Sequence, residues 1–318
     1  MAKEKDIDNK SIIKAYPTKE LFISILVRDI TMKDAIGDLL DNSVDGALKL
    51  RSKKDYTGLN VNIKIDPQKD IFKIIDNCGG IPIAVARDYA FRFGRLENMK
   101  PTGHSVGVFG IGMKRALFRL GNKFSVESTA KNSYFKMEVD VDKWKISGEG
   151  KSAPDSWQFK FSDGWTENTK TDYPIDKRGT IITIKELHDD VKDAFDSDTE
   201  IASLIKELQH EHLYSIDKGL SVTVNGVKLV APQLKLLASN DFKTATWENT
   251  DGPVKIKLYA GISEEEKYGP NGGWYIFCNN RLVIGPDQTK ITGWGASKPV
   301  KIPEYHSQFY RFRGYAFL

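Results

Sequence analysis

The stretch from Thr31 to Lys49 constrains this chain most, because it reads as a single amphipathic helix with an unusual polar face. On a period of 3.6 residues, one face is mostly apolar and consists of Ile36, Leu40, Ser43, Val44 and Ala47. The opposite face carries Asp38, Asp41, Asn42 and Asp45. Neither Asp38 nor Asp41 has a Lys or Arg four residues further on, so the repulsion between them has no such local compensation. A solvated acidic surface is the common meaning of such a face, and a set of oxygen ligands for a hard cation such as Mg²⁺ is the alternative.

Composition limits the classes of protein to which the chain can belong. Its 318 residues, 40% of them hydrophobic, suffice for one large or two ordinary domains. A net charge of +4 permits contact with a polyanion but does not predict one. The charged N-terminus lacks the apolar core of a signal peptide, and no apolar run approaches the roughly 20 residues of a membrane span. Two cysteines are too few for a disulfide framework or a zinc site. We therefore expect a soluble, cytoplasmic protein with no membrane partner.

A second constraint lies at the end of a predicted strand. Residues 61–65 and 71–75 alternate between apolar and polar side chains, which predicts two half-buried strands joined by a turn. The second strand runs directly into D-N-C-G-G-I at residues 76–81. A carboxylate at a strand end, followed by two glycines, places a hydrogen-bond acceptor beside backbone that a ligand can approach closely.

Glycines also precede a predicted helix, in the sequence G-V-F-G-I-G-M-K at residues 107–114. Exposed N–H groups and the positive end of the helix dipole make such a start a candidate anion site. A flexible loop explains the glycines equally well. The spacing excludes a Rossmann fingerprint, since no strand leads directly into the glycines, and a P-loop, which needs G-x-x-x-x-G-K followed by Ser or Thr.

Periodicity elsewhere predicts the organisation of the chain. Helices are predicted over 19–27, 84–93 and 196–216, and strands over 123–128, 134–141, 179–184, 254–260 and 274–278. Asn225-Gly226 predicts a two-residue hairpin turn. We place a domain boundary near the helix that begins at Asp196, which gives domains 1–196 and 197–318. Because the sequence ends in an apolar, aromatic run, we expect the natural protein to continue beyond Leu318.

Four stretches stand in a fixed order: D-L-L-D-N-S-V-D-G-A (38–47), D-N-C-G-G-I (76–81), G-V-F-G-I-G-M-K (107–114) and G-T-I-I-T-I (179–184). This series resembles the Bergerat-fold ATPases of the GHKL superfamily, which includes gyrase B subunits, MutL, heat-shock-90-type chaperones, MORC proteins and sensor histidine kinases. Each motif alone is permissive, whereas four in order are specific. The resemblance covers about residues 20–190, and residues 105–121 are most similar to MORC and MutL. No stretch resembles a phosphoacceptor-histidine helix, which argues against a sensor kinase.

The resemblance implies a fold and an activity. The fold would be α/β: a Bergerat sandwich with a mixed sheet covered on one face by helices, then a smaller, transducer-like α/β domain of the ribosomal-protein type. The cofactors would be ATP and Mg²⁺, with slow hydrolysis and closure of a homodimer when ATP binds. A lid over the nucleotide would lie at about residues 94–105. The client would be DNA, as for MORC and MutL, or protein, as for the chaperones.

The resemblance also assigns roles at the phosphates. Asn42 stands where the family binds Mg²⁺, and Asp38 stands where the family has a Glu that acts as general base or water orienter. Asp is one methylene shorter, so its carboxylate is set back by about 1.5 Å. Positioning errors of that size can cost about a hundredfold in rate. Asp38 therefore implies either a shifted water or a slow ATPase. The phosphates would be wrapped by Gly107, Val108, Phe109, Gly110, Ile111 and Gly112, with Lys114 as a cation beside them.

A separate group of residues would bind the adenine. Asp76 would accept a hydrogen bond from the 6-amino group, Gly80 and Ile81 would let the base pass close to the backbone, and Thr180 would complete the pocket. Asp45, on the helix face of Asn42, would contact the base through water. Cys78 replaces the first glycine of the family's D-x-G-x-G, and we expect its thiol to pack rather than react.

The second half carries two shorter resemblances. Asn279-Asn280-Arg281 is similar to the N-x-R segment in the transducer domains of MutL and MORC proteins. Gln288-Thr289-Lys290 is similar to the Q-T-K loop of gyrase, which implies that Lys290 acts as a catalytic cation at the terminal phosphate. A solvated surface lysine is the alternative for Lys290. The alternative for the whole chain is a nucleotide-binding regulatory or chaperone-like module without meaningful turnover. The choice between the two depends on where the Asp38 carboxylate lies relative to the attacking water, which is a matter of geometry.

Overall fold

The chain folds into two mixed sheets with associated helices, which confirms the predicted α/β class. The computed structural model describes residues 17–51, 55–94, 111–147, 157–231, 234–239, 241, 243–264, 269–299 and 301–318. The helices are α1 (Lys19–Val27), α2 (Met32–Leu50), α3 (Ile83–Val85), α4 (Gly112–Leu120), α5 (Val141–Ile146), α6 (Asp189–Phe195), α7 (Asp198–Glu211) and α8 (Leu213–Asp217). The strands are β1 (Asn60–Asp66), β2 (Ile71–Asp76), β3 (Gly121–Thr129), β4 (Tyr134–Asp140), β5 (Gly179–Leu187), β6 (Ser221–Val224), β7 (Val227–Lys228), β8 (Ala245–Asp251), β9 (Val254–Ile262), β10 (Gly273–Cys278), β11 (Arg281–Asp287) and β12 (Phe312–Phe317).

The first sheet has the order β4-β3-β5-β2-β1-β6-β7. Its pairs are antiparallel, except that β1 and β6 run parallel. Along β1, β2 and the first six residues of β5, buried side chains alternate with more exposed ones. The buried set includes Ile63, Ile74 and Ile182, which are aligned by the strand register. These side chains share one core with the apolar stripe of α2. One face of the sheet is therefore covered by helices, as the Bergerat sandwich requires.

Helix α2 begins with a reciprocal cap. The Thr31 hydroxyl accepts the N–H of Asp34, and the Asp34 carboxylate accepts the N–H of Thr31, both at 3.1 Å. This capping box satisfies two of the N–H groups that a helix start leaves without partners. It fixes the register of the helix that carries the acidic face, and the prediction of one helix over this stretch is confirmed.

Two predicted helices differ from the observed ones. The helix predicted over 84–93 is a short α3 that continues as a π-helical turn, Ala86–Ala90. The helix predicted over 196–216 consists of α7 and α8. The break falls at His212, where φ is −103° and ψ is 16°. There, the ring of His212 is drawn into contacts with Leu208 and Asp41, which no helical periodicity encodes.

The predicted domain boundary between residues 196 and 197 falls inside the unit that is built on the first sheet. Leu204 and Leu208 of α7 are buried in the core under the first sheet. Strand β6 pairs with β1, and the hairpin turn at Asn225-Gly226 hydrogen-bonds to Ile65 through the Asn225 side chain. The first unit therefore extends to about residue 229, because its sheet is completed by strands that follow α7 and α8.

The second sheet has the order β11-β10-β12-β9-β8. Strand β12 lies in its interior, parallel to β10 and antiparallel to β9. Tyr275, Phe277 and Tyr315 form a small aromatic core with Leu213 of α8. The aromatic residues of 312–317 thus serve an interior strand. Across the described ranges, no helix combines the length and apolar character needed to cross a membrane.

Candidate functional site

The carboxylate of Asp76 lies where β2, β5 and α2 meet. Its Oδ1 accepts the N–H of Cys78 at 2.8 Å and the N–H of Thr180 at 3.3 Å. Its Oδ2 accepts the hydroxyl of Ser43, on α2, at 3.0 Å. Burial raises the pKa of Asp76, and these three hydrogen bonds oppose that rise by favouring the charged form. The sequence placed Ser43 on the apolar face of α2 and so missed its contact with the strand end.

Beside Asp76 the backbone comes very close to a neighbouring strand. Gly80 has a φ of +71°, and a Cβ there would lie 2.0 Å from the carbonyl oxygen of Thr129. Only glycine fits this position. The N–H of Ile81 donates to the hydroxyl of Ser128 at 2.7 Å, and Ser128 lies 3.2 Å from the hydroxyl of Thr180. The predicted residues Asp76, Gly80, Ile81 and Thr180 are thus brought together, with Ser128 as a member that the sequence did not reveal.

Cys78 fits the same turn without strain. Its φ lies outside the left-handed region, while Gly79 and Gly80 adopt positive φ. The side chain is 2% exposed, and burial raises the pKa of its thiol. Gly46 of α2 approaches the carbonyl of Cys78 so closely that a Cβ on Gly46 would lie 2.5 Å away. The thiol therefore packs under the turn, and the thiolate that a reactive cysteine needs is disfavoured.

The carboxylate of Asp38 lies at the N-terminus of α4. A Cβ on Gly112, the first residue of α4, would lie 3.1 Å from the Asp38 carboxylate. The carboxylate therefore packs closely against the backbone of this glycine. Arg115 on the first turn of α4 pairs its Nη2 with Asp38 Oδ2 at 3.2 Å. Burial raises the pKa of Asp38, and Arg115 works against this rise. Arg115 follows the glycine motif directly, yet the resemblance assigned it no role.

Asn42 lies one turn after Asp38 and is exposed. Its Nδ2 donates to the main-chain carbonyl of Asp38, which directs the amide oxygen Oδ1 to the other side. Mg²⁺ usually keeps several waters and binds to one or two protein oxygens together with substrate phosphates. Among the described residues, no group of three or more His, Cys, Asp and Glu side chains is placed to hold a metal ion. The amide oxygen of Asn42 is a single protein oxygen of the kind that this coordination uses.

Lys114 is buried rather than extended towards solvent. It is 2% exposed, and its Nζ donates to the carbonyl of Ala90 at 2.9 Å. Burial lowers the pKa of Lys114 to about 8. The ammonium thus joins α4 to the end of the π-helical turn, and its predicted contact with phosphate stays a prediction.

The remaining predicted residues lie elsewhere in the described ranges or outside them. Asp45 is half-buried on α2, and Ile111 is the residue before α4. Gly107, Val108, Phe109 and Gly110, with all but the first residue of the predicted lid, lie outside the described residues. Lys290 is exposed at the start of a 3₁₀ turn that follows β11.

The second sheet reaches α2 through a different residue. Arg281, the first residue of β11, donates through Nη1 to Asp41 and through Nη2 to Glu211 at 2.9 Å. Asp41 also accepts Nε2 of His212 at 3.0 Å. Asp41 therefore does not lie on a solvated acidic face; it is buried and paired with His212, between α7 and α8, and with Arg281 of β11. The resemblance of Asn279-Asn280-Arg281 to the N-x-R segment pointed to Arg281, but it did not indicate Asp41 as the partner of Arg281.

A comparison with known protein families gives a match to part of the first unit. Residues 30–169, less than half of the chain, match the sequence profile of the histidine kinase-, DNA gyrase B- and HSP90-like ATPases. Residues 30–169, which belong to the first unit, are therefore similar to the GHKL superfamily. The matched range contains the Asp38 and Asp76 constellations, while Thr180 follows it. The description does not separate MORC- or MutL-like members from the others, and no curated protein matches the chain.

The match supports ATP binding by the GHKL domain. In this domain, helix α2 carries Asp38 and Asn42, and Ser43, the next residue, contacts Asp76. The strand ends supply acceptors and a close backbone approach, and α4 supplies a helix N-terminus, which favours anions.

Proposed function

We propose that the chain is an ATP- and Mg²⁺-dependent molecular switch that hydrolyses ATP slowly. The observation that carries the proposal is the reach of α2. Within six residues, this helix supplies Asp38 at the N-terminus of α4 and Ser43 at the Asp76 carboxylate. A ligand with a base at one end and phosphates at the other fits these two ends.

Each residue has a separate task in the proposed mechanism. Asp76 accepts a hydrogen bond from the adenine amino group, while Ser128 and Thr180 line the same end of the pocket. Asn42 would hold Mg²⁺, which would supply positive charge at the phosphates. Asp38 orients the attacking water and accepts its proton, which requires the ionised carboxylate. The N–H groups at the start of α4 face the phosphates.

A binding titration beside a steady-state assay tests the proposal. Wild-type protein should bind a non-hydrolysable ATP analogue in the presence of Mg²⁺ and release phosphate from ATP. Asn42→Ala removes the metal-binding oxygen from an exposed position, so the fold should persist while Mg²⁺-dependent ATP binding or turnover is lost. Normal affinity and turnover in a folded Asn42→Ala variant would remove Asn42 from the site.

A nucleotide-binding module without turnover is the second candidate, and one contact favours it. Asp38 is paired with Arg115, and a carboxylate held by a guanidinium is a weaker base. The shorter side chain of Asp38, compared with Glu, points the same way. Tight analogue binding with no phosphate release above that of the Asp38→Asn variant would decide for this candidate.

We further propose that ATP binding associates two copies of the chain and that the client is DNA. Dimerisation and DNA rest on the resemblance to MORC and MutL proteins. Light scattering with and without the ATP analogue tests the first. A DNA titration at several salt concentrations tests the second, because phosphate contacts release counterions and make affinity fall steeply with salt.

A further inference from the structure

The contacts of Asp41 join the second sheet to one side of helix α2. Its carboxylate receives Arg281 from the second sheet on Oδ2 and His212, the residue between α7 and α8, on Oδ1. The side chain of Asp41 is only 8% exposed, and that of Arg281 is 25% exposed. Such a shielded pair is screened much less by salt and water than a surface pair.

The position of Asp41 on α2 gives this contact its consequence. Gly37 and Asp41 are four residues apart, so they lie on one stripe of the helix, and Asp38 and Asn42 lie on the adjacent stripe. A Cβ on Gly37 would be 3.1 Å from Glu211 Oε2 and 3.4 Å from Arg281 Nη2. The side chains of Arg281 and Glu211 therefore pack closely against the α2 backbone at Gly37, the residue before Asp38. A contact on one stripe fixes the rotation of the helix and, with it, the direction of the next stripe.

A second contact holds β11 in place against the first unit. His210, on α7, contacts the carbonyl of Gly285 through Nε2. Arg281 and Gly285 both belong to β11, so this strand is held at two points. Arginine suits the role, since its planar fork presents donors in fixed directions and binds two carboxylates at once.

We infer that Arg281, through its ion pair with Asp41, is a positioning residue that sets the orientation of Asp38 and Asn42. This inference rests on the proposed function of those two residues. It makes the geometry of the ATP site depend on how the second sheet docks, with Arg281 acting through Asp41 rather than on the nucleotide. Displacement of a catalytic group by about 1 Å can lower a rate about a hundredfold.

The test uses the full chain and compares Arg281→Met, Asp41→Asn and the double variant with wild type. Both single variants should lower kcat by about 10- to 100-fold, and affinity for the ATP analogue should change by less than about threefold. The double variant should be no slower than the slower single variant, because both substitutions break one contact. Wild-type kcat in a folded Arg281→Met variant, or losses that multiply in the double variant, would overturn the inference.

The matched control is Lys257→Met. It breaks an exposed ion pair with Glu248 in the same sheet and should leave kcat unchanged. Should Arg281→Met fail to fold, Gly37→Ala perturbs the same contact without altering charge. Alanine is the better helix former, so a lower kcat in Gly37→Ala would come from the pressure on Glu211 and Arg281. An unchanged kcat in Gly37→Ala would count against the inference.

Hydrogen exchange separates this inference from the proposed function. In nucleotide-free protein, the amides of residues 36–44 should exchange faster in Arg281→Met than in Lys257→Met, because α2 loses an external restraint. Equal exchange would overturn the positioning role. If wild type neither binds the ATP analogue nor hydrolyses ATP, the proposed function fails, and this measurement still decides whether Arg281 restrains α2.

Discussion

The carboxylate of Asp38 lies between a helix N-terminus and a guanidinium, and both features govern its chemistry. Burial raises its pKa above the usual 3.8, while Arg115 and Arg281 pull the pKa down. Because the native pKa is raised, the folded state binds more protons than the unfolded state between the two pKa values. The native state therefore loses stability as pH rises through that window. As a base, Asp38 is active only above its native pKa.

Asp38→Asn should retain ATP binding and lose hydrolysis, the pattern of a group used in the transition state. In wild type, kcat/KM should fall as pH drops through the raised pKa of Asp38. Arg115→Met removes a cation that favours the carboxylate, so this acid limb should move to higher pH. A pH–rate profile for the three proteins measures both effects. Wild-type hydrolysis by Asp38→Asn would exclude the general-base role, and Asp38→Glu, which restores the family's length, should accelerate turnover.

At the scale of elements, α4 is held against the rest of the domain by a buried lysine. Lys114 donates to the carbonyl of Ala90, and burial lowers its pKa to about 8. Its unfolded value is 10.5, so the native state binds fewer protons between pH 8 and 10.5. The penalty for the buried charge is complete below pH 8 and disappears as pH rises to 10.5. That difference corresponds to about 3 kcal/mol.

The free energy of unfolding of wild type should therefore rise, relative to that of Lys114→Met, as pH is raised from 8 to 10.5. Methionine has a similar length and carries no charge, so the variant lacks this penalty. Urea unfolding at several pH values measures the difference. Exposed Lys170, replaced by Met, serves as the control and should show wild-type pH dependence. Parallel curves for wild type and Lys114→Met would show that Lys114 keeps its ordinary proton affinity in the native state.

In the molecule as a whole, the second sheet and the turn that follows it carry two cations of interest, Arg281 and Lys290. Arg281 contacts Asp41, while Lys290 is exposed on a turn after β11 that Asp287 braces through Thr289 and Thr292. A cation that reaches the γ-phosphate stabilises charge as the phosphate leaves. Since ADP lacks that phosphate, such a contact would make the placement of the second unit depend on ATP.

Lys290→Ala should lower ATP turnover by one to two orders of magnitude, about the effect of removing one donor to a transition-state charge. It should spare ADP binding and weaken ATP-induced compaction in small-angle scattering. Lys301→Ala, another exposed position in the same unit, is the control. If turnover and compaction match wild type in Lys290→Ala, Lys290 is a surface lysine, and Arg281 is left as the cation that links the second sheet to the site.

Local periodicity in the sequence was sufficient to predict several helices and strands. Helix α1 has the predicted bounds, α2 begins and ends within one residue of its predicted range, and β1, β2 and β5 contain their predicted residues. The resemblance to the GHKL motifs also implied which residues meet at the strand end, namely Asp76, Gly80 and Thr180. The local elements themselves follow from side-chain spacing and from backbone freedom at glycine, which neighbouring residues are sufficient to specify.

Only the tertiary structure decided the partners of the charged groups and the limit of the first unit. Asp41 is paired with His212 and Arg281, which are 171 and 240 residues away in the chain. Strand β6 completes the first sheet from beyond the predicted boundary. A buried charge requires a partner, but periodicity cannot name one that arrives from another element, and a strand's neighbour is fixed by the register of the whole sheet.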